Sequence, residues 1–319
     1  MALAPLFCGT LKLPAIAAPM FLVSGPELVI ECCKAGMAGS FPALNQRTSE
    51  GYAAWLDEIQ SALSEYGSGH GAWPAPFGVN LIVHKSNPRL LADLAITCKA
   101  KVPFVITSLG AVRDVVDAVH GYGGIVLHDV ISARHAEKAI EAGADGVIAV
   151  SAGAGGHAGT VNPFALLDEL RPIVGDKMLV LAGAISSGAG IAGAIAAGAD
   201  LAYMGTRFIA TAESLAPAAY KQMILESGSK DIVYTPKISG VNANFLIPSL
   251  IRAGLDVTTM EPSKGMDLEH EAKAWSTVWS AGHGVGGIGS VLPVAELATQ
   301  LQGEYAKACQ RMMGFKAGG

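Results

Sequence analysis

A (β/α)8 barrel with a small, mainly helical lobe inserted after the eighth strand is the α/β fold this sequence predicts. Three observations carry that prediction. Eight short apolar runs recur along the first two thirds of the chain, each followed by a turn signal and a segment with helical spacing. The runs are continuous rather than alternating, as strands of a parallel sheet covered by helices must be. Two helix-to-strand passages, Ala139–Val150 (AIEAGADGVIAV) and Ala194–Gly205 (AIAAGADLAYMG), echo one another. An open doubly wound sheet is the competing arrangement.

In order, the strands are expected at Ala15–Ala18, Met37–Phe41, Phe77–Val83, Phe104–Ser108, Gly124–His128, Gly146–Val150, Met178–Ala182 and Leu201–Gly205. The gaps between them suit a helix and two loops, the repeating unit of such a barrel. Gly143 and Gly198 stand where each echoed helix closes, a left-handed position that side chains resist. Met178 to Ala199 carries no charge, but it is built from Gly, Ala and Ser. It therefore reads as a strand, loop and buried helix, not a membrane span. After Phe208 charges and helical stretches increase, so residues 212–275 are expected to form the lobe or lid, and 1–211 with 276–319 the barrel. A second glycine-rich loop, Trp279–Ser290, and an amphipathic helix from about Val294 to Met313 complete the chain.

The bulk numbers narrow the function classes. The chain has 319 residues, 51% hydrophobic and 15% charged, enough apolar material for a sizeable core. Its net charge of −5 and its singly scattered cations argue against nucleic acid as a partner. The five cysteines, Cys8, Cys32, Cys33, Cys98 and Cys309, show neither C-x-x-C nor zinc spacing and read as reduced thiols. The start MALAPLFCGT lacks a signal peptide's basic end and apolar core, so a cytoplasmic protein is expected.

Chemistry is expected at the C-terminal ends of the strands. The loops AGAISSG (Ala182–Gly188) and MGTRF (Met204–Phe208) follow strands seven and eight. Small residues there expose backbone N–H groups, and a helix beginning there adds its positive end, which together suit a phosphate. The first strand ends in AAPMF, where Pro19 and Met20 could lie against a flat ring or simply form a strand exit. Asn80 sits inside the apolar run FGVNLIV, where a buried amide needs partners, structural or on a ligand. His128 ends strand five and is either a core histidine or a site residue, and His283 could approach the same cavity from the lid side. His157, in SAGAGGHAGT after strand six, is the leading reactive candidate because its small neighbours leave room for a ligand. No hydrolase triad, H-E-x-x-H motif or Walker loop is present.

Taken together, AAPM (Ala17–Met20), FGVNL (Phe77–Leu81), AGGHAG (Ala154–Gly159), AGAISSG and MGTRF resemble the nitronate monooxygenase family, also called 2-nitropropane dioxygenase-like TIM-barrel enzymes. SGVNANFLIPSL and AWSTVWSAGHGVGGI extend the likeness towards the end of the chain. The resemblance implies FMN, with its phosphate on Gly183–Ala184 and Gly205–Thr206 and its ring near Ala18, Pro19, Met20 and Asn80. It further implies that Gly156 gives the ring clearance, that Gly282 and His283 close the pocket, and that His157 is the catalytic histidine. The implied reaction oxidises a small alkyl nitronate, or a nitroalkane, with O2 to a carbonyl compound and nitrite. The partners expected are that substrate and O2, with a homo-oligomer left open. Two alternatives share the scaffold: an NAD(P)H-dependent FMN reductase of quinones or enoyl thioesters, and a non-redox barrel binding a phosphorylated metabolite. The chain departs from the family pattern at Ala17 and Gly153, where relatives often carry Gln and Glu, and at Asp129, where some NAD(P)H-using relatives carry Lys.

Overall fold

The computed structural model describes residues 3–70, 73–84, 86–110, 113–256, 258–260 and 277–314. Eight parallel strands close into a barrel: β1 (Ala15–Ala17), β2 (Ala38–Pro42), β3 (Phe77–Ile82), β4 (Phe104–Ser108), β5 (Ile125–Val130), β6 (Gly146–Val150), β8 (Met178–Ala182) and β9 (Leu201–Met204), the last pairing back to β1. The expected order of βα units is therefore observed. Helices α1 (Pro26–Lys34), α2 (Ser49–His70), α3 (Leu90–Lys99), α4 (Arg113–His120), α5 (Ala133–Glu141), α6 (Pro163–Val174) and α7 (Gly188–Ala196) intervene. Gly143 and Gly198 close α5 and α7 at φ +98° and +103°.

Strand alternation sorts the core into layers. Ile16, Ile106, Leu127, Ile148, Val180 and Leu201 pack inside the barrel. Phe7 plugs the barrel against Phe104, with ring centroids 5.4 Å apart. Ala149, Leu179 and Leu181 face outward and pack with Leu166, Leu170 and Ile191 of the covering helices.

The small residues of α7 have a packing reason. A Cβ at Gly188 would stand 2.0 Å from the Leu301 carbonyl oxygen on the C-terminal helix α11 (Val294–Gly314). Close approach of the two helices is what the uncharged, glycine-rich stretch permits. No helix among the described residues is long and apolar enough to cross a membrane.

The segment after β9 differs in texture from the expected helical lobe. It carries α8 (Thr206–Ile209), α9 (Ala218–Glu226) and α10 (Ile247–Arg252), but also strands β10 (Ile232–Thr235) and β11 (Ala243–Leu246). These pair antiparallel, and β11 continues onto β7 (Gly156–His157), the loop after β6. The part of 212–275 that falls at 257 and 261–275 lies outside the described residues.

Candidate functional site

Alternation decides which polar side chains enter the barrel mouth. Leu127 points inward and Val126 and Val130 point to the helices, so Asp129 turns into the barrel and His128 turns away. The fifth strand runs to Val130, two residues beyond its expected end, and this is what brings Asp129 into the top layer. The same parity sends Asn80 and Ser108 inward. The three form a chain: Asn80 Nδ2 donates to Ser108 Oγ (2.9 Å), which donates to Asp129 Oδ2 (2.6 Å). Asn80 Nδ2 also donates to the Ile106 carbonyl, so its amide oxygen is what it offers the cavity.

Asp129 Oδ1 is buried with no hydrogen-bond partner. Burial raises the carboxyl from 3.8 to about 6, against the Ser108 hydrogen bond and the attraction of His157. Tyr203, also inward-facing, is held well above its ordinary value by burial and then by Asp129. His128 shares a 2.8 Å hydrogen bond with Thr107 Oγ1, and burial pulls it down to about 4. It is a neutral histidine of the strand–helix layer.

These groups open into one cavity of about 1400 Å3 at the C-terminal ends of the strands. Its lining includes Ala18, Pro19, Met20, Asn80, Gly156, His157, Gly183, Ala184, Gly205, Thr206 and Gly282, bringing together residues from every part of the barrel. His283 is the exception and corrects its expected approach to the cavity. Its N–H donates to the Gly153 carbonyl (2.9 Å), a 3-10 turn begins there, and the exposed ring lies over Gly153 outside the pocket.

The two loops expected to hold a phosphate offer fewer free N–H groups than the sequence suggests. The Ala184 N–H donates to Gly153, and the first N–H groups of α7 are taken by Glu304 (2.8 Å) and Ser187 (3.0 Å). The positive end of α7 is thus already capped. Gly183, Gly205 and Thr206 still face the cavity. At Gly183, φ is +137° and a Cβ would stand 2.2 Å from Ser151 Oγ, so only glycine fits.

Two supports of the site carry no motif. Asn45 donates to the Met20 carbonyl (3.0 Å) and accepts from Leu22 N–H (2.9 Å), fixing the Ala18–Ser24 turn. Register pairs His157 with Ala243 and Gly156 with Asn244. Asn244 Nδ2 donates to the Ala154 carbonyl (2.7 Å), and Ser280 Oγ accepts from Gly156 N–H (2.6 Å). Trp279, next to Ser280, is clamped between Tyr220 and Arg252, stacked at 4.7 Å and 3.3 Å. Asn244→Ala strands a buried carbonyl and is expected to cost about 1–3 kcal/mol, checked by urea denaturation. A signal existed for Ser108 and Asp129, as polar residues ending apolar strands. None existed for Asn45, Asn244 or Ser280.

The comparisons agree with this geometry. The family model described as nitronate monooxygenase matches residues 89–303. A nitronate monooxygenase of Paraburkholderia phytofirmans is 26% identical, over 95% of this chain and 94% of its own. An octahydro-indene carboxyl-CoA dehydrogenase of Rhodococcus jostii is 30% identical over 75% of this chain and 64% of its own. Among solved structures, nitroalkane oxidase from Streptomyces ansochromogenes superposes with a TM-score of 0.80 at 26% identity, covering 96% of this chain and 99% of that one. The barrel, the strand-end cavity and these likenesses converge: the chain belongs to the nitronate monooxygenase family and is a flavin-dependent oxidoreductase.

Proposed function

We propose that the protein binds FMN in this cavity and oxidises small alkyl nitronates with O2 to a carbonyl compound and nitrite. The observation that carries the reading is the convergence of His157, the apolar Ala18–Met20 turn and the Gly183 and Gly205 loops on one cavity. The residues fit the cofactor: a Cβ at Gly205 would stand 3.7 Å from the Met20 side chain and narrow the space between the loops, and Asn80 is fixed with its amide oxygen free for a ring N–H. Gly183, Gly205 and Thr206 would hold the phosphate, and Met20 and Pro19 would flank the ring. FMN, when bound, supplies the electron acceptor and the reactivity towards O2.

The chain's own groups do the positioning. His157 holds an imidazole nitrogen where it takes the α-proton of a neutral nitroalkane, or hydrogen-bonds the nitro group when protonated. Val23, Ile185 and Ile209 line the cavity with apolar surface, suiting a short alkyl chain and keeping water from the reacting carbon. The β11 pairing and the Ser280 contact keep the His157 backbone in place during the proton transfer.

Anaerobic mixing tests the reading. Flavin bleaching by ethylnitronate or propionate 3-nitronate, with none by NADH or NADPH, is expected. Bleaching by a nicotinamide alone would replace this function with the reductase alternative, and a purified protein that takes up no FMN would remove both. A cytoplasmic setting accords with five thiols that are all unpaired.

A further inference from the structure

We infer that Ser108 and Asp129 are positioning residues: through their hydrogen bonds they fix which end of the Asn80 amide faces the cavity, and so the flavin. This rests on the flavin reading, which puts Asn80 against the ring. Three successive strands carry the arrangement. β3, β4 and β5 pair in parallel, with Asn80 beside Ile106 and Thr107 beside His128. That register brings Asn80, Ser108 and Asp129 to one corner of the barrel mouth, joined by bonds of 2.9 Å and 2.6 Å. All three line the cavity, yet Asn80 and Ser108 are only 7% and 8% exposed, so their polar groups depend on one another.

Counting hydrogens sets the direction of the chain. An ionised carboxylate only accepts, and a serine hydroxyl has one hydrogen to give. Ser108 gives it to Asp129 Oδ2, so towards Asn80 its oxygen can only accept. The end of the amide beside Ser108 must therefore be the NH2, which turns the amide oxygen to the cavity. The Ile106 carbonyl asks for the same NH2, but at 3.3 Å it lies beyond the usual range of about 2.7–3.2 Å. The bond to Ser108 decides the orientation. The oxidised flavin ring carries a single N–H, on the edge between its two carbonyls, and an amide oxygen is the partner that hydrogen needs. An amide turned the other way would set donor against donor.

A proton on Asp129 loosens this order. Oδ1 is buried without a hydrogen-bond partner, and burial raises the carboxyl to about 6. Below that pH the acid can donate to Ser108, whose own hydrogen is released to the Asn80 oxygen. Two further titratable groups face the carboxyl: His157, after β6, and Tyr203, on β9, which burial keeps neutral. His128, beside it on β5, turns to the helix layer and shares its hydrogen bond with Thr107.

Fluorescence titration of the flavin-free full chain with FMN tests the assignment. At pH 8, Ser108→Ala is expected to raise the Kd roughly three- to ten-fold, the worth of one hydrogen bond. Asp129→Leu, which removes the acceptor that orients Ser108, should do the same. In an Asn80→Ala background, Ser108→Ala should add less than about two-fold, because the group it orients is gone. Its penalty should also shrink at pH 5, where Asp129 holds its proton. The phosphate of FMN titrates in this range too, so each variant is compared with the parent at the same pH. A packing role alone would give equal penalties in both backgrounds and at both pH values. Equal penalties, or parent-like binding by either single variant, overturn the inference. Circular dichroism reports folding, and Ser108→Ala, which removes one oxygen atom, decides the matter if the leucine variant does not fold. A parent that takes up no FMN overturns the functional reading as well. A parent that binds FMN but does not oxidise ethylnitronate fails that reading alone, and the titrations still decide the positioning.

Discussion

His157→Asn is expected to lower kcat/KM for a neutral nitroalkane such as nitroethane by about 10²–10⁴, the usual contribution of a positioned general base. The same variant should lose less than about ten-fold on ethylnitronate, in which the α-proton is already gone. The split follows from the proposed role. A base is needed only where a C–H bond must be broken, whereas a group that merely orients the nitro oxygens would cost both substrates equally. The amide is a fair replacement because the residue's place depends on backbone pairing to Ala243 and on the Asn244 and Ser280 contacts around it. FMN content should be unchanged. Steady-state rates on the two substrates, with flavin content measured by absorbance, decide the matter. Equal losses would make His157 an orienting residue, and full activity on nitroethane would remove it from the chemistry.

Much of this was legible in the sequence, for physical reasons. Strands buried on both faces must be apolar throughout, so their positions show in a single sequence. Glycines at strand ends mark backbone close approach, which is why Gly183 and the His157 loop stood out. What stayed hidden depends on contacts between distant residues. The pairing of β7 with β11 joins His157 to a residue far along the chain, with neither segment patterned as an obvious strand. Asp129 entered the site because β5 continues past His128, and one position of alternation exchanges the two side chains. The sequence left His128 open as a core histidine or a site residue, whereas parity gives the inward place to its neighbour. The capping of α7 by Glu304 requires the packing of a helix more than a hundred residues later.

Asp129→Asn is expected to stabilise the fold at neutral pH and to relieve repulsion of an anionic substrate. The carboxyl ionises near 3.8 when unfolded and at about 6 when folded. Between those values the folded chain holds a proton that the unfolded chain has released. Stability therefore falls as pH rises through that window and levels off above it. A shift of this size corresponds to at most about 3 kcal/mol, so the variant should gain up to that amount at pH 8 relative to pH 4. Asparagine keeps an oxygen for Ser108 Oγ and removes the charge that Oδ1 buries without a partner. Urea denaturation at the two pH values measures the gain, and an unchanged difference would place the charge in solvent. Function should respond in the same window. A nitronate is an anion, and a like charge within about 10 Å costs roughly 1.7 kcal/mol at an effective dielectric constant near 20, or about fifteen-fold in affinity. The KM of the parent for ethylnitronate should rise as pH passes upward through about 6, and the variant's profile should lose that rise. His157 faces the same carboxyl and remains in both proteins, so a rise persisting in the variant would come from a group other than Asp129. Asp129 would then have no part in substrate binding. A flattened profile instead makes Asp129 the residue that ties nitronate affinity to pH.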